Sequence, residues 1–234
     1  MIKNIFFISG LVLFSAMLIW LFPSGLWLER FLNYFQTPVY GKTWKNEVEK
    51  FEKLYTLDSA EFFFLGDSHI EQCEWQELFP EFRCANRGIG GETTSGLLSR
   101  ISFMPAGGRN RRVILQTGIN DLISGAEIKQ ITENYTAILD TLKGRKYRPL
   151  VTLVFPVRYM KNVNESVWAL NSEIFRICRQ KNCQVIQINR EITRRKLLAE
   201  EFTGDGIHLN FQGYQIWSGV IRKAIFSEPD SCSR

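Results

Sequence analysis

The chain has 234 residues, of which 45% are hydrophobic, and a net charge of +5. That is enough apolar material for a core, which excludes a disordered chain, and the length suits one ordinary domain with an appendage. The basic clusters at 109–112, 143–148 and 194–196 lack interleaved aromatics or a nucleic-acid motif, so they read as solvated faces and loop ends and no nucleic-acid partner is expected.

Residues 5–22 are apolar except for Ser9, Gly10 and Ser15. As a helix they would span roughly 27 Å, close to the ~30 Å hydrocarbon core of a bilayer. The run is longer than the ~7–15 residues of a signal-peptide core. Pro23-Ser24-Gly25 ends it without a clean small-x-small cleavage site. Residues 1–25 are therefore expected to be a single membrane anchor, with a signal segment as the alternative, and the remainder to lie on the exported, extracytoplasmic side. Residues 26–58 read as a juxtamembrane segment. Within it Trp44, Val48, Phe51 and Leu54 recur at helical spacing among Lys and Glu, which predicts an amphipathic helix packing on the domain. The compact domain is expected to cover 59–234.

In that domain strands and helices alternate. Short apolar runs at 61–65, 82–86, 112–116, 150–155 and 184–188 predict strands. Helices are predicted at 94–103, 127–142, 165–180 and 211–224, the second with Ile128, Ile131, Tyr135, Ile138, Leu139 and Leu142 on one face. Continuous apolar strands between amphipathic helices predict an α/β fold with a five-stranded parallel sheet covered on both faces. In such sheets the functional loops gather at the carboxyl ends of the strands.

Four short words follow those strands: Gly66-Asp67-Ser68-His69, Gly88-Ile89-Gly90-Gly91-Glu92-Thr93-Thr94, Gly118-Ile119-Asn120-Asp121 and Asp205-Gly206-Ile207-His208. Each alone is weak, since a turn serine, a flexible glycine turn, an Asx turn or a capped helix start would explain it. Together they are chemically complete for acyl transfer through a serine ester. Ser68 is the candidate nucleophile. His208 is the candidate base, and Asp205, three residues earlier, can curl back to orient it. His69 directly follows Ser68, which turns its side chain elsewhere and makes it the weaker candidate for the base. The amides of Ser68 and Gly91 and the side-chain amide of Asn120 are candidate oxyanion donors.

With these residues the chain resembles the SGNH/GDSL hydrolases over roughly 61–225. Ser68, Gly91, Asn120 and His208 match the four family-defining positions, and Asp205 matches the carboxylate of the triad. Residues 86–94 look like the platelet-activating-factor acetylhydrolase-like branch, whose second block reads Gly-Ile-Gly-Gly-Asp-Thr-Thr. Here Glu92 stands in place of that aspartate, and His69 stands where Leu or Ile is frequent. The resemblance implies a three-layer α/β/α flavodoxin-like fold, no metal or cofactor, and hydrolysis of carboxylic esters or thioesters. The expected substrate is an acylated glycan or lipid ester, with short acyl esters preferred. A lysophospholipase, a thioesterase or an O-acyltransferase could use the same residues.

There is no Walker loop, dinucleotide fingerprint or Cys-x-x-Cys, and there are only two histidines, so no cofactor or zinc centre is expected. Five cysteines leave at least one unpaired within the chain. In an exported domain the short-loop pairs would be Cys73–Cys84 and Cys178–Cys183, and the alternative is that all are free thiols.

Overall fold

A computed structural model describes residues 42–55, 59–108 and 111–226. Five parallel strands, β1 (Phe62–Gly66), β2 (Cys84–Gly88), β3 (Arg112–Gln116), β4 (Arg148–Thr152) and β5 (Gln184–Ile186), lie in the order β2-β1-β3-β4-β5. This is the flavodoxin-like order, whose direction of winding reverses between β1 and β3. Gly66 at the end of β1 sits level with Gly88 on one side and Gln116 on the other. The loops leaving three adjacent strands therefore open at one rim.

Side chains alternate across the strands, as a two-residue period requires. Phe63, Leu65, Val113, Leu115 and Val151 face one apolar layer. That layer is closed by α1 (Lys42–Tyr55), α4 (Thr94–Arg100), α6 (Ile128–Gly144) and α7 (Lys161–Gln180). Phe62, Phe64, Ile114, Leu150 and Ile186 face the other layer. It is closed by the short helices α2 (Ser68–Glu71), α3 (Trp75–Leu78) and α8 (Asn189–Ile192) and by α9 (Phe211–Phe226). An aromatic stack holds this second layer: Phe64 lies on Trp75 with ring centres 4.1 Å apart, and Trp75 meets Trp217 edge-on at 5.0 Å. One more helix, α5 (Ile119–Ile123), follows β3. The α/β class, the five parallel strands and the two covered faces agree with the sequence expectation.

Several boundaries differ for physical reasons. The fourth strand covers Arg148–Thr152 rather than 150–155. Pro149 is tolerated inside it because the Arg148 N–H bonds to Arg111 on the β3 side, so the position of the missing N–H points toward β5. That strand begins only at Gln184, opposite Leu150. Beyond Leu153, whose N–H still reaches the Ile186 carbonyl of β5 at 3.3 Å, side-chain amides replace the ladder. Asn171 takes both the N–H and the carbonyl of Val154 at 2.8 Å, and Asn164 does the same for Val157 at 2.7 and 2.6 Å.

The helix predicted from Trp44, Val48 and Phe51 forms, and all three are buried in the first core layer, whereas Leu54 is exposed. This helix is part of the same compact unit as the sheet. The basic stretch at 194–196 is the tip of a small hairpin, β6 (Thr193–Arg194) with β7 (Leu197–Leu198), in which Arg195 and Lys196 both take positive φ.

Cys73, Cys84, Cys178 and Cys183 are free thiols. The anchor expected at residues 1–25 lies outside the described residues, as do residues 26–41 and Cys232. Among the described residues no helix is long and apolar enough to cross a membrane.

Candidate active site

Strand β1 ends at Gly66, whose φ is +153°. A Cβ there would sit 1.7 Å from the Gln116 carbonyl oxygen, so only glycine lets β1 pair with β3 and turn at this point. Asp67 then caps α2, its Oδ1 accepting from the His69 N–H at 3.0 Å. The cap places Ser68 at the first helical position, facing the rim.

The other end of the site comes from the loop before α9. Asp205 Oδ1 accepts from the N–H groups of Ile207 and His208, both at 2.8 Å, and Oδ2 meets His208 Nδ1 at 2.6 Å. One carboxylate thus shapes the turn and orients the ring. His208 Nε2 lies 2.8 Å from Ser68 Oγ, across 140 positions of sequence. Partial burial by itself would raise the Asp205 carboxyl, but the His208 side chain and the two backbone N–H donors outweigh it and hold the group down at about 2. Asp205 is therefore a carboxylate at any ordinary assay pH.

Gly91 follows β2 with φ +72°. Among the described residues nothing accepts a hydrogen bond from its N–H or from that of Ser68. Asn120, at the start of α5, donates one side-chain N–H to the Glu92 carbonyl at 3.0 Å, which leaves its second N–H for another acceptor. Of the five residues predicted from sequence, Ser68 and Asn120 stand in the first turns of α2 and α5, and Gly91, Asp205 and His208 stand in loops. Ser68, His208 and Asp205 form one hydrogen-bonded chain.

The geometry gives roles to residues outside the predicted site. Glu92 is buried, and its longer arm explains its presence where the resemblance leads one to expect aspartate. It receives Arg100 at both oxygens (2.7 and 2.6 Å) and the Trp44 indole N–H at 2.8 Å. Burial pushes the Glu92 carboxyl up, and Arg100 and Trp44 work against that push. Arg100 comes from α4 and Trp44 from α1, 48 positions before Glu92, so no single segment of the sequence shows this cluster.

Asp121, next to Asn120, accepts from the Thr94 N–H at 2.9 Å and the Thr94 hydroxyl at 2.6 Å. It thereby ties α4 to α5 behind the Gly-rich loop. Burial pushes its carboxyl up to about 6, against the Thr94 bonds that lower it. The folded state therefore binds this proton more tightly than the unfolded chain, and the group's contribution to stability falls as pH rises from about 4 through about 6. Relative to the parent, Asp121→Asn is expected to gain about 2–3 kcal/mol of stability between pH 4 and pH 7. Urea unfolding at the two pH values measures this, and a pH-independent difference would contradict the assignment.

Tyr159 stands at the rim beside the base loop. Its side chain is 76% exposed, and its Cδ2 and Cε2 lie where a Cβ on Gly206 would be, 2.6 and 2.5 Å away. The Arg158 N–H bonds to the Gly206 carbonyl at 2.7 Å. The thiols of Cys73, Cys84 and Cys178 are pushed up to about 12, chiefly by burial, so none of them competes with Ser68 as a nucleophile.

The model of the GDSL-like lipase/acylhydrolase family matches residues 64–216, more than half of the chain. The N-acylneuraminate cytidylyltransferase of Streptococcus agalactiae serotype V is 24% identical over 162 residues, which are 68% of this chain and 37% of that protein. The chain thus spans little more than a third of the length of the curated relatives it matches. A Streptococcus pneumonia structure described as a platelet activating factor superposes with a TM-score of 0.73 at 23% identity, covering 86% of this chain and 98% of that one. The acetyl xylan esterase AlAXEase superposes with a TM-score of 0.59 at 18% identity, covering 70% and 98%. The matched span begins inside the strand that leads to Ser68 and ends in the helix that follows His208. It encloses Ser68, Gly91, Asn120, Asp205 and His208, so the chain belongs to the GDSL-like lipase/acylhydrolase family.

Proposed function

We propose that the protein is a membrane-tethered serine esterase acting on short-chain acyl esters of glycans, in the platelet-activating-factor acetylhydrolase-like branch of its family. Ser68 Oγ attacks the ester carbonyl while His208 Nε2 takes its proton. Asp205 holds the ring in the tautomer with the proton on Nδ1 and stabilises the imidazolium that forms. The developing oxyanion is met by the N–H groups of Ser68 and Gly91 and by the Asn120 side chain. His208 returns the proton to the leaving alcohol, and water then attacks the acyl-enzyme by the reverse sequence.

The observation that carries this reading is the 2.8 Å contact between Ser68 Oγ and His208 Nε2, with Asp205 behind the ring at 2.6 Å. The branch is supported by the Gly88–Thr94 word and by the fold shared with the Streptococcus pneumonia protein. Acyl sugars are supported by Tyr159, a flat exposed ring beside the base loop. The fold shared with an acetyl xylan esterase adds weight. Tethering is supported by the apolar run at 5–22.

Two measurements on the full-length chain in detergent test the proposal. A fluorophosphonate probe is expected to modify Ser68, as read by peptide mapping, and labelling elsewhere or none at all overturns the mechanism. A p-nitrophenyl ester series from acetate to palmitate is expected to peak at the short end. A maximum at the long chains would replace the glycan ester with a lipid.

A further inference from the structure

The mechanism above uses one of the protein's two histidines, and the other is fully buried. His69 and Asp67 are both 0% exposed. His69 Nδ1 lies 3.2 Å from Asp67 Oδ1, and Nε2 lies 3.0 Å from the Ile207 carbonyl oxygen. Asp67 sits in the turn that carries Ser68, and Ile207 in the loop that carries His208. One imidazole therefore spans both halves of the site.

The peptide unit between Ile207 and His208 is held at both ends. Its carbonyl accepts from His69, and its N–H donates to Asp205 Oδ1 at 2.8 Å. The His69 ring is itself held. Its backbone N–H is taken by Asp67, and its carbonyl accepts from the Tyr214 hydroxyl at 2.9 Å. Phe155 packs edge-on against the ring at 5.1 Å, and the His208 ring centre is 5.3 Å away.

The hydrogen-bond inventory adds a second point. A carboxylate and a carbonyl both accept, so two acceptors face the two ring nitrogens. Neutral imidazole carries one N–H. Both contacts are made only when the Asp67–His69 pair holds one further proton, lying between Oδ1 and Nδ1. Asp67 Oδ2 has no partner among the described residues, which fits a carboxyl whose charge is met on its other oxygen.

We propose that His69 is a positioning residue: its protonated pairing with Asp67 clamps the Ser68 turn to the Ile207–His208 peptide and sets the distance between nucleophile and base. The inference rests on reading Ser68 and His208 in those roles.

The test is made on the full-length chain. With only two histidines in the sequence, ¹⁵N-histidine labelling gives two ring systems, assigned by His69→Gln. His69 is expected to show two slowly exchanging ring N–H protons in the unmodified protein. A single N–H, or fast exchange, overturns the shared proton whatever the enzyme's activity. His69→Leu, which keeps volume and apolar packing, is expected to lower kcat about 10²-fold with KM unchanged, since a misplacement of about 1 Å can cost that much. His69→Gln keeps a donor for the Ile207 carbonyl and is expected to recover at least about tenfold of that loss. A Leu variant that folds and turns over like the parent overturns the clamp, as does a Gln variant no better than Leu. If fluorophosphonate fails to label Ser68 while both N–H signals are present, the catalytic reading has failed and the Asp67–His69 pairing stands.

Discussion

Ser68→Ala is expected to lower kcat for p-nitrophenyl acetate by about 10⁴-fold or more, leaving only what the oxyanion donors supply without a nucleophile. The fold should barely register the change. The hydroxyl's contact is with the ring of His208, which is partly exposed, so water can replace Oγ on Nε2. The Asp67 cap of α2 uses the His69 N–H rather than the serine side chain. Stability should therefore move by no more than about 1 kcal/mol. Steady-state kinetics with a thermal melt on the same preparation separate the two effects. An undiminished rate in a folded Ser68→Ala protein would remove the nucleophile from the mechanism.

The second large effect is on stability. Glu92→Ala is expected to cost about 3–5 kcal/mol, because it leaves the Arg100 guanidinium 3% exposed without the carboxylate onto which it forks. The loss also removes a hydrogen bond that ties α1 to the site, since Trp44 donates to the same carboxylate. The backbone of Glu92 is where Asn120 anchors, so the Gly91 loop should loosen and kcat should fall along with stability. A control distinguishes the broken ion pair from a simple cavity. Replacing both partners with apolar residues of similar size, Glu92→Met with Arg100→Met, is expected to restore much of the lost stability. Urea unfolding of the two variants measures this. Equal losses in both would assign the cost to packing instead.

Much of the fold was legible because its signal is local. The unbroken apolar run Phe62-Phe63-Phe64-Leu65 shows a strand buried on both faces, and the stripe from Ile128 to Leu142 shows a helix with one buried side. The site was legible because each word is short and the first three follow strand ends, where a parallel sheet collects loops, while Asp205 and His208 stand in the loop before α9. Leu54 misled because it continues the spacing of Trp44, Val48 and Phe51, yet α1 runs out past the first core layer at that point. The hairpin at Arg195 and Lys196 was hidden because two-residue turns with positive φ are ordinarily marked by Asn or Gly, and here two long basic side chains take that geometry. The fourth strand was misplaced because Pro149 reads as a boundary. Only the late start of β5 makes it acceptable inside the ladder.

The sequence by itself determined the α/β class, the order of chemically complete loops and the pair Asp205 and His208, since a carboxylate three residues before an imidazole can reach it within one turn. Only the tertiary structure decided that Ser68 meets His208, that Glu92 joins α1 and α4 behind the Gly-rich loop, and that the His69 ring bridges Asp67 and Ile207. The longest of those contacts, Trp44–Glu92, His69–Ile207 and Ser68–His208, join residues 48, 138 and 140 positions apart. Their geometry depends on strand order and on which buried polar groups must find partners, and neither is written in any one segment of the chain.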